Sequence, residues 1–201
     1  MELQRIVDLL SRKRQVFYSE ADFQFALAWE IQQFYPDAEI RLEYPATMER
    51  KEYIDILVRY KGNIYPIELK YKTRKISLYI NKEHYNLKNH GAGDFGSYDF
   101  VKDICRLENF LSSLDGCNHG FALWLTNDSY YWNPPRRDNT GAAEFRVYDG
   151  AIKSGTLTWG NAMTNTHALV LNNEYVISWS DYSKFDVKSA GIFKYALINV
   201  Q

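Results

Sequence analysis

Three charged residues stand inside two apolar runs. Asp55 lies in Tyr-Ile-Asp-Ile-Leu-Val-Arg-Tyr at 53–60, and Glu68 and Lys70 lie in Ile-Tyr-Pro-Ile-Glu-Leu-Lys-Tyr-Lys at 64–72. The runs read as two β-strands joined by a tight turn. Charge among apolar neighbours is strongly penalised unless it is paired or put to use. A two-residue loop at Lys61-Gly62 pairs Tyr60 with Asn63, and counting back sets Asp55 opposite Glu68. Glu68 and Lys70 are two apart and share a face, so the three side chains are expected to converge. The other face carries Ile54, Ile56 and Val58 against Ile67 and Leu69 and reads as core. Pro66 suits an edge or bulged site, which leaves the register open by about one residue.

The rest of the chain supplies helices and strands around this hairpin. Residues 2–16 place Leu3, Ile6, Val7, Leu9 and Leu10 at helical spacing, with a cationic last turn at Arg12-Lys13-Arg14. Ser19 to Tyr35 predicts a second helix: Ser19 caps it, Glu20 and Asp22 sit in its first turn, and Pro36 stops it. Glu20 falls on the apolar stripe of Phe23, Leu27, Ile31 and Phe34. Ala38 to Tyr44 alternates as a short strand, and Met48 to Glu52 reads as a charged connection. Residues 73–97 lose periodicity and read as a long mobile connection with a short strand near 76–80. Tyr98 to Leu114 returns to helical spacing, with Lys102, Asp103, Arg106 and Glu108 on its polar side. Gly120 to Thr126 is wholly apolar, as expected of a strand covered on both faces. Residues 127–144 read as a polar loop. Three strands are expected at 168–171, 175–179 and 193–200, with Asn172-Asn173 as a hairpin turn between the first two.

Two opposed carboxylates make a hard-oxygen site suited to Mg2+ or Mn2+. A neighbouring ammonium can hold a water or steady the charge of a phosphoryl transition state. Together they are the minimal equipment for metal-assisted phosphodiester cleavage. The competing reading is a cross-strand salt bridge on a solvated face; the register, the acid-bearing helix before the hairpin and the helix after it favour the first.

Ile-Asp-Ile-Leu-Val at 54–58, the turn, and Ile-Glu-Leu-Lys-Tyr-Lys at 67–72 resemble the core of the PD-(D/E)XK nuclease superfamily, the restriction-endonuclease-like fold. The resemblance covers roughly residues 19–126. It implies an α/β domain with an αβββαβ core, a mixed sheet flanked by helices, and Mg2+-dependent hydrolysis of DNA. It implies Asp55 and Glu68 as metal ligands, assisted by the Leu69 carbonyl, and Lys70 as the catalytic lysine. Glu20 would be the acid of the first core helix, near the metal, with Glu30 as its substitute. Ile54 stands where the superfamily's name has Pro. A second departure is that no polar partner stands out in the second helix, where Asp103 and Arg106 are the candidates. Lys72, Arg74, Lys75, Lys88 and His90 would form the basic, DNA-facing side of the cleft. Residues 127–201 carry no resemblance and read as a β-rich extension of the same single domain, 1–201. A nuclease fold that binds nucleic acid or protein without cleaving is the alternative, as is a structural protein whose three charges are a salt bridge.

Composition adds bounds. The formal net charge of −1 excludes a whole-protein basic field, although Lys70, Lys72, Arg74 and Lys75 lie together. Two cysteines are too few for a disulfide framework or the usual zinc spacing, and both are expected reduced, in a cytoplasmic protein. The N-terminal residues do not read as a signal peptide, and no apolar run is long enough to span a membrane. Pairing into a homodimer is left open. Residues 91–96 spell both Gly-x-Gly-x-x-Gly and Asp-Phe-Gly, but neither the strand context of a dinucleotide site nor the other kinase elements accompany them. A flexible hinge beside the active site is the expectation there. His84 and His90, six apart, lack helical ligand spacing. Arg136 and Arg137, beside two prolines, read as a solvated turn.

Overall fold

The computed structural model describes residues 1–46, 52–137, 139–160, 167–187 and 189–201. The connection read at 48–52 lies outside the described residues apart from Glu52. Helix α1 (Leu3–Lys13) buries Leu3, Ile6, Val7 and Leu10, a single stripe of helical period. Helix α2 (Glu20–Phe34) begins after Ser19, whose hydroxyl accepts the Asp22 N–H at 3.2 Å; such a cap contributes about 1 kcal/mol. The cationic end of α1 ties the two helices together. Lys13 pairs with Glu30 at 2.6 Å and Arg14 with Asp22 at 2.8 Å.

Strands β1 (Glu39–Pro45), β2 (Tyr53–Tyr60) and β3 (Asn63–Lys72) form an antiparallel meander. A small hairpin, β4 (Ile76–Ile80) and β5 (Glu83–Leu87), follows, and then the long helix α3 (Gly93–Ser113). Strand β6 (Gly120–Thr126) returns parallel to β3. Beyond a short helix α4 (Ser129–Trp132) comes a second hairpin, β7 (Ile152–Leu157) with β8 (Leu169–Val176). The last strands, β9 (Trp179–Lys184) and β10 (Ile192–Val200), complete the main sheet in the order β1-β2-β3-β6-β10-β9. The architecture is mixed α/β: a mixed sheet flanked by helices, with more sheet contributed by the C-terminal third.

Each face of the sheet has its own core. Under α1 and α2 lie Ile56, Val58, Ile67, Leu69, Leu123 and Leu125. Under α3 and the β7–β8 hairpin lie Ala122, Trp124, Ala196, Ile198 and Val200. Strand β6 is therefore buried on both faces, which is why its sequence is apolar without alternation. Among the described residues no helix is long and apolar enough to cross a membrane. Cys105 and Cys117 are free and buried.

Four local expectations are corrected. The segment 73–97 is an ordered β4–β5 hairpin followed by the start of α3, not a long loop. The glycines at 93 and 96 are helical and serve close packing rather than a hinge: a Cβ on Gly93 would meet the Tyr130 ring at 2.4 Å, and one on Gly96 the Tyr131 hydroxyl at 2.6 Å. Asn172 and Asn173 do not turn the chain but lie within β8, at a register shift opposite β7. Their backbone N–H groups both donate to the buried Glu108 carboxylate of α3, which also takes the Tyr175 hydroxyl at 2.8 Å. A bulged stretch left without ladder partners is thus satisfied by one acid. Finally, Ile54 packs with Leu57, Phe110 and Cys117 on the α3 side, not with Ile56 and Val58.

The Gly96 contact yields a test. Tyr131 is fully buried and its hydroxyl has no partner among the described residues. Gly96→Ala should lower unfolding free energy by about 1–2 kcal/mol, overpacking outweighing the helix-propensity gain. Tyr131→Phe should recover most of that loss in the double variant. Urea denaturation of the four proteins measures it, and strict additivity would count against the contact.

Candidate active site

β2 and β3 pair from Tyr60↔Asn63 as far as Ile56↔Ile67. Beyond that pair they part, and β3 continues against β6 through Lys72. Asp55 is the first residue of β2 past the split, opposite Glu68 by the same count. The N–H groups of Leu69 and Tyr71, two residues apart, point to one edge of β3, the edge that β2 has left. Two carboxylates take them. Asp55 Oδ2 accepts the Leu69 N–H at 2.5 Å, and Glu20 Oε2, from the first turn of α2, accepts the Tyr71 N–H at 2.7 Å. Glu20 thus reaches the hairpin, as its stripe position predicted. Glu30 does not, being held by Lys13.

The other face of β3 turns Glu68 and Lys70 towards α3. Lys70 Nζ lies 2.9 Å from Asp103 Oδ2, and Arg106 Nη2 lies 2.6 Å from Glu68 Oε1. Asp103 and Arg106, three apart on the helix, come within 3.7 Å of each other and link the two pairs. Arg106 also donates to the Tyr53 carbonyl at 2.5 Å. Both helix residues that the sequence offered are therefore engaged. Asp103 and Glu108 are buried, so the expected polar side of this helix is in part its packed side.

Two further residues were missed. Gln24 donates through Nε2 to Glu43 Oε1 at 2.7 Å and to the Asp55 carbonyl at 2.8 Å. Glu43 has a φ of 50°, the left-handed region that costs a non-glycine residue energy, and the β1–β2 pairing is interrupted where Glu43 would face Asp55. Strand alternation placed Glu43 on the outer face, and no pattern in the sequence marks a single left-handed residue. Asp103 and Arg106 had a weak signal, an acid and a base at i, i+3 on the polar side of the helix.

Charge is unbalanced here. Glu20, Glu43, Asp55, Glu68 and Asp103 face Lys70 and Arg106. Burial, together with the charges of Asp103, Glu20 and Glu43, pushes the Asp55 carboxyl up to about 7, against the pull of the Leu69 N–H. Burial and Asp103 likewise raise Glu68, although Arg106 and Lys70 oppose them. Asp103 is raised by burial in spite of its contact with Lys70. Burial pulls the Lys70 ammonium down, but Asp103 and Glu20 more than offset it, so Lys70 is raised and stays protonated.

A hard divalent cation fits this donor set. Asp55 has one oxygen on Leu69 and Glu68 has one on Arg106; no described residue hydrogen-bonds to the second oxygen of either. Carboxylate oxygens and a backbone carbonyl are the ligands Mg2+ and Mn2+ prefer, and a cation would offset the burial and the repulsion that raise Asp55. Among the described residues, no three His, Cys, Asp or Glu side chains form a ready-made metal cage.

The expected basic side is only partly gathered. Lys72 ends β3, half-buried. The Arg74 N–H donates to Asn127 Oδ1 at 2.7 Å, and its guanidinium lies 3.8 Å from Asp128. His90 Nδ1 accepts the Thr73 N–H at 3.0 Å, which fixes it at the end of β3. Lys75 and Lys88 are exposed. His84 bonds Ser77 across the β4–β5 hairpin at 2.7 Å. No protein-family model, curated protein or solved structure matches the chain.

The raised Asp55 carboxyl has a signed consequence for stability. Between the ordinary aspartate range and about pH 7, the unfolded chain has lost this proton while the folded protein keeps it. Stability therefore falls as pH rises through that window, by up to roughly 4 kcal/mol from this group. Asp55→Asn keeps an acceptor for the Leu69 N–H and removes the titration. Its melting temperature should exceed that of wild type at pH 8, with the difference shrinking towards pH 4. Parallel pH profiles for the two proteins would contradict this.

Proposed function

We propose that this protein is a metal-dependent nuclease with a restriction-endonuclease-like core, hydrolysing DNA phosphodiester bonds at Asp55, Glu68 and Lys70. The observation that carries the reading is the placement of Asp55 where β2 leaves β3, opposite Glu68 by register and bound to the Leu69 N–H, with Lys70 two residues from Glu68, in a setting with more carboxylate than cation. The element order supports it as well: α2, the β1–β3 meander, α3, then β6 parallel to β3, matching the αβββαβ order that the sequence resemblance implies.

Asp55, Glu68 and the Leu69 carbonyl would hold Mg2+ or Mn2+, with Glu20 beside them. The cation, when bound, supplies Lewis-acid stabilisation of charge on phosphoryl oxygens. Lys70 is a cation rather than a base: its protonated ammonium donates to an attacking water or to the developing oxyanion. Asp103 orients that ammonium. Arg106 anchors Glu68 through one oxygen and leaves the other for a ligand.

The continuous chain of ion pairs Glu68–Arg106–Asp103–Lys70 favours a second reading, a nuclease fold that binds nucleic acid or protein without cleaving. Incubation of single-stranded, double-stranded and branched DNA with Mg2+ or Mn2+ separates the two. Wild type should cleave at least one substrate, and Lys70→Ala should lose about a hundredfold or more, with Asp55→Asn losing both Mn2+ binding and cleavage. Equal cleavage by wild type and Lys70→Ala, or no Mn2+ affinity in wild type, would sink the nuclease reading.

A further inference from the structure

Arg136 and Arg137 do not sit on an isolated turn. With Arg74 and Arg146 they line one cavity of about 400 Å³, walled also by Tyr130 and the Pro134-Pro135 segment. Arg74 follows β3, Arg136 and Arg137 follow α4, and Arg146 follows a single 3-10 turn (Ala143–Phe145). Three separate stretches thus bring four guanidinium groups together in a chain whose net charge is −1. Two carboxylates partly answer them: Asp128 lies 3.8 Å from Arg74, and Asp94 lies 3.4 Å from Arg146. Arg136 and Arg137 are exposed and form no ion pair with any described residue. The Arg146 guanidinium stacks over the Tyr130 ring, 4.4 Å from its centroid, and so is held in place. Two consecutive prolines restrict the backbone that presents Arg136 and Arg137.

A cluster of arginines in a concave site matches phosphate, which guanidinium recognises by paired hydrogen bonds. Two features extend the site beyond a lone anion. Arg74 also borders a cavity with Trp132 and Lys184, and another with Phe95, Tyr130 and Trp159. Flat aromatic faces beside cations are what a single strand uses for base stacking. In the other direction, Lys70 and Lys72 share a face of β3, and Arg74 lies two residues further on. β3 ends at Lys72, and at strand rise Lys70 to Lys72 covers about 7 Å; with Arg74 two residues beyond, these cations lead along the chain from the carboxylate site to the arginine cavity.

We infer that this arginine cavity, with the aromatic clefts that adjoin it, holds the phosphates of a single-stranded nucleic acid segment running to the Asp55–Glu68 site. The choice of ligand rests on the nuclease reading; the phosphate contacts do not need the carboxylates.

Fluorescence anisotropy with a labelled oligo(dT) 20-mer in EDTA tests it. Wild type should bind, and Arg136→Ala/Arg137→Ala should bind about tenfold more weakly at low salt, with the slope of log affinity against log salt reduced by about 1.4. Arg41→Ala, which removes an exposed charge elsewhere on β1, should bind as wild type does. The double variant touches only exposed side chains, and an unchanged melting temperature confirms its fold. Wild-type affinity and slope in the double variant would overturn the inference, as would equal loss in Arg41→Ala, or duplex binding as tight as single-strand binding. EDTA separates the two claims. Arginine-dependent binding without any cleavage in Mg2+ defeats the nuclease reading alone; cleavage with arginine-independent binding defeats this one alone.

Discussion

The separation of β2 from β3 after Ile56↔Ile67 is the constraint from which the site follows. A strand that loses its neighbour exposes backbone donors that must be satisfied elsewhere. Here the substitutes are carboxylates, Asp55 on the Leu69 N–H and Glu20 on the Tyr71 N–H. An acid in that position is fixed by the backbone itself rather than by a flexible partner. One of its oxygens is committed and the other remains available. The same split opens a gap that α2 approaches from one face of the sheet and α3 from the other, so acids from both helices and both strands meet there.

That meeting has an energetic cost. Glu68 and Asp103 are buried, Asp55 is half-buried, and two cations do not offset these acids together with the exposed Glu20 and Glu43. Buried ion pairs rarely repay their desolvation in full, and Glu43 adds backbone strain beside them. Such local cost is tolerated where the surrounding fold has stability to spare, and it concentrates where chemistry is done. The apolar supports are correspondingly extensive: β6 is buried on both faces, and each face has its own aliphatic and aromatic core.

Much of this was legible in the sequence, and the exceptions have physical reasons. The Lys61-Gly62 turn fixed the β2–β3 register, so Asp55 opposite Glu68 could be counted directly. Helical spacing and the Ser19 cap placed Glu20 correctly. The β4–β5 hairpin was hidden because its turn, Asn81-Lys82, uses two left-handed non-glycine residues in place of the usual glycine signal. The start of α3 was hidden because Gly93 and Gly96 look like helix breakers, while in the fold the rings of Tyr130 and Tyr131 leave no room for a side chain there. Asn172-Asn173 resembles a turn, but its backbone is held extended by Glu108, a residue far away in sequence. In the last two cases a tertiary contact decided against the local signal.

The pairing of β10 with β6 bears on how far the chain can be divided. The resemblance to a nuclease core stops near Thr126, which makes the remainder look like an appendage. Yet β10 fills the open edge of β6 along its whole length, from Gly120 to Thr126. A fragment ending at Thr126 would finish on a strand that is apolar on both faces and unpaired along one side, a template for edge-to-edge aggregation. It would also free α3 from the β8 bulge that Glu108 grips, and with it the helix that carries Asp103 and Arg106. The C-terminal third therefore supplies two strands of the main sheet, and evolutionary trimming of this chain to its motif-bearing half would need a replacement strand.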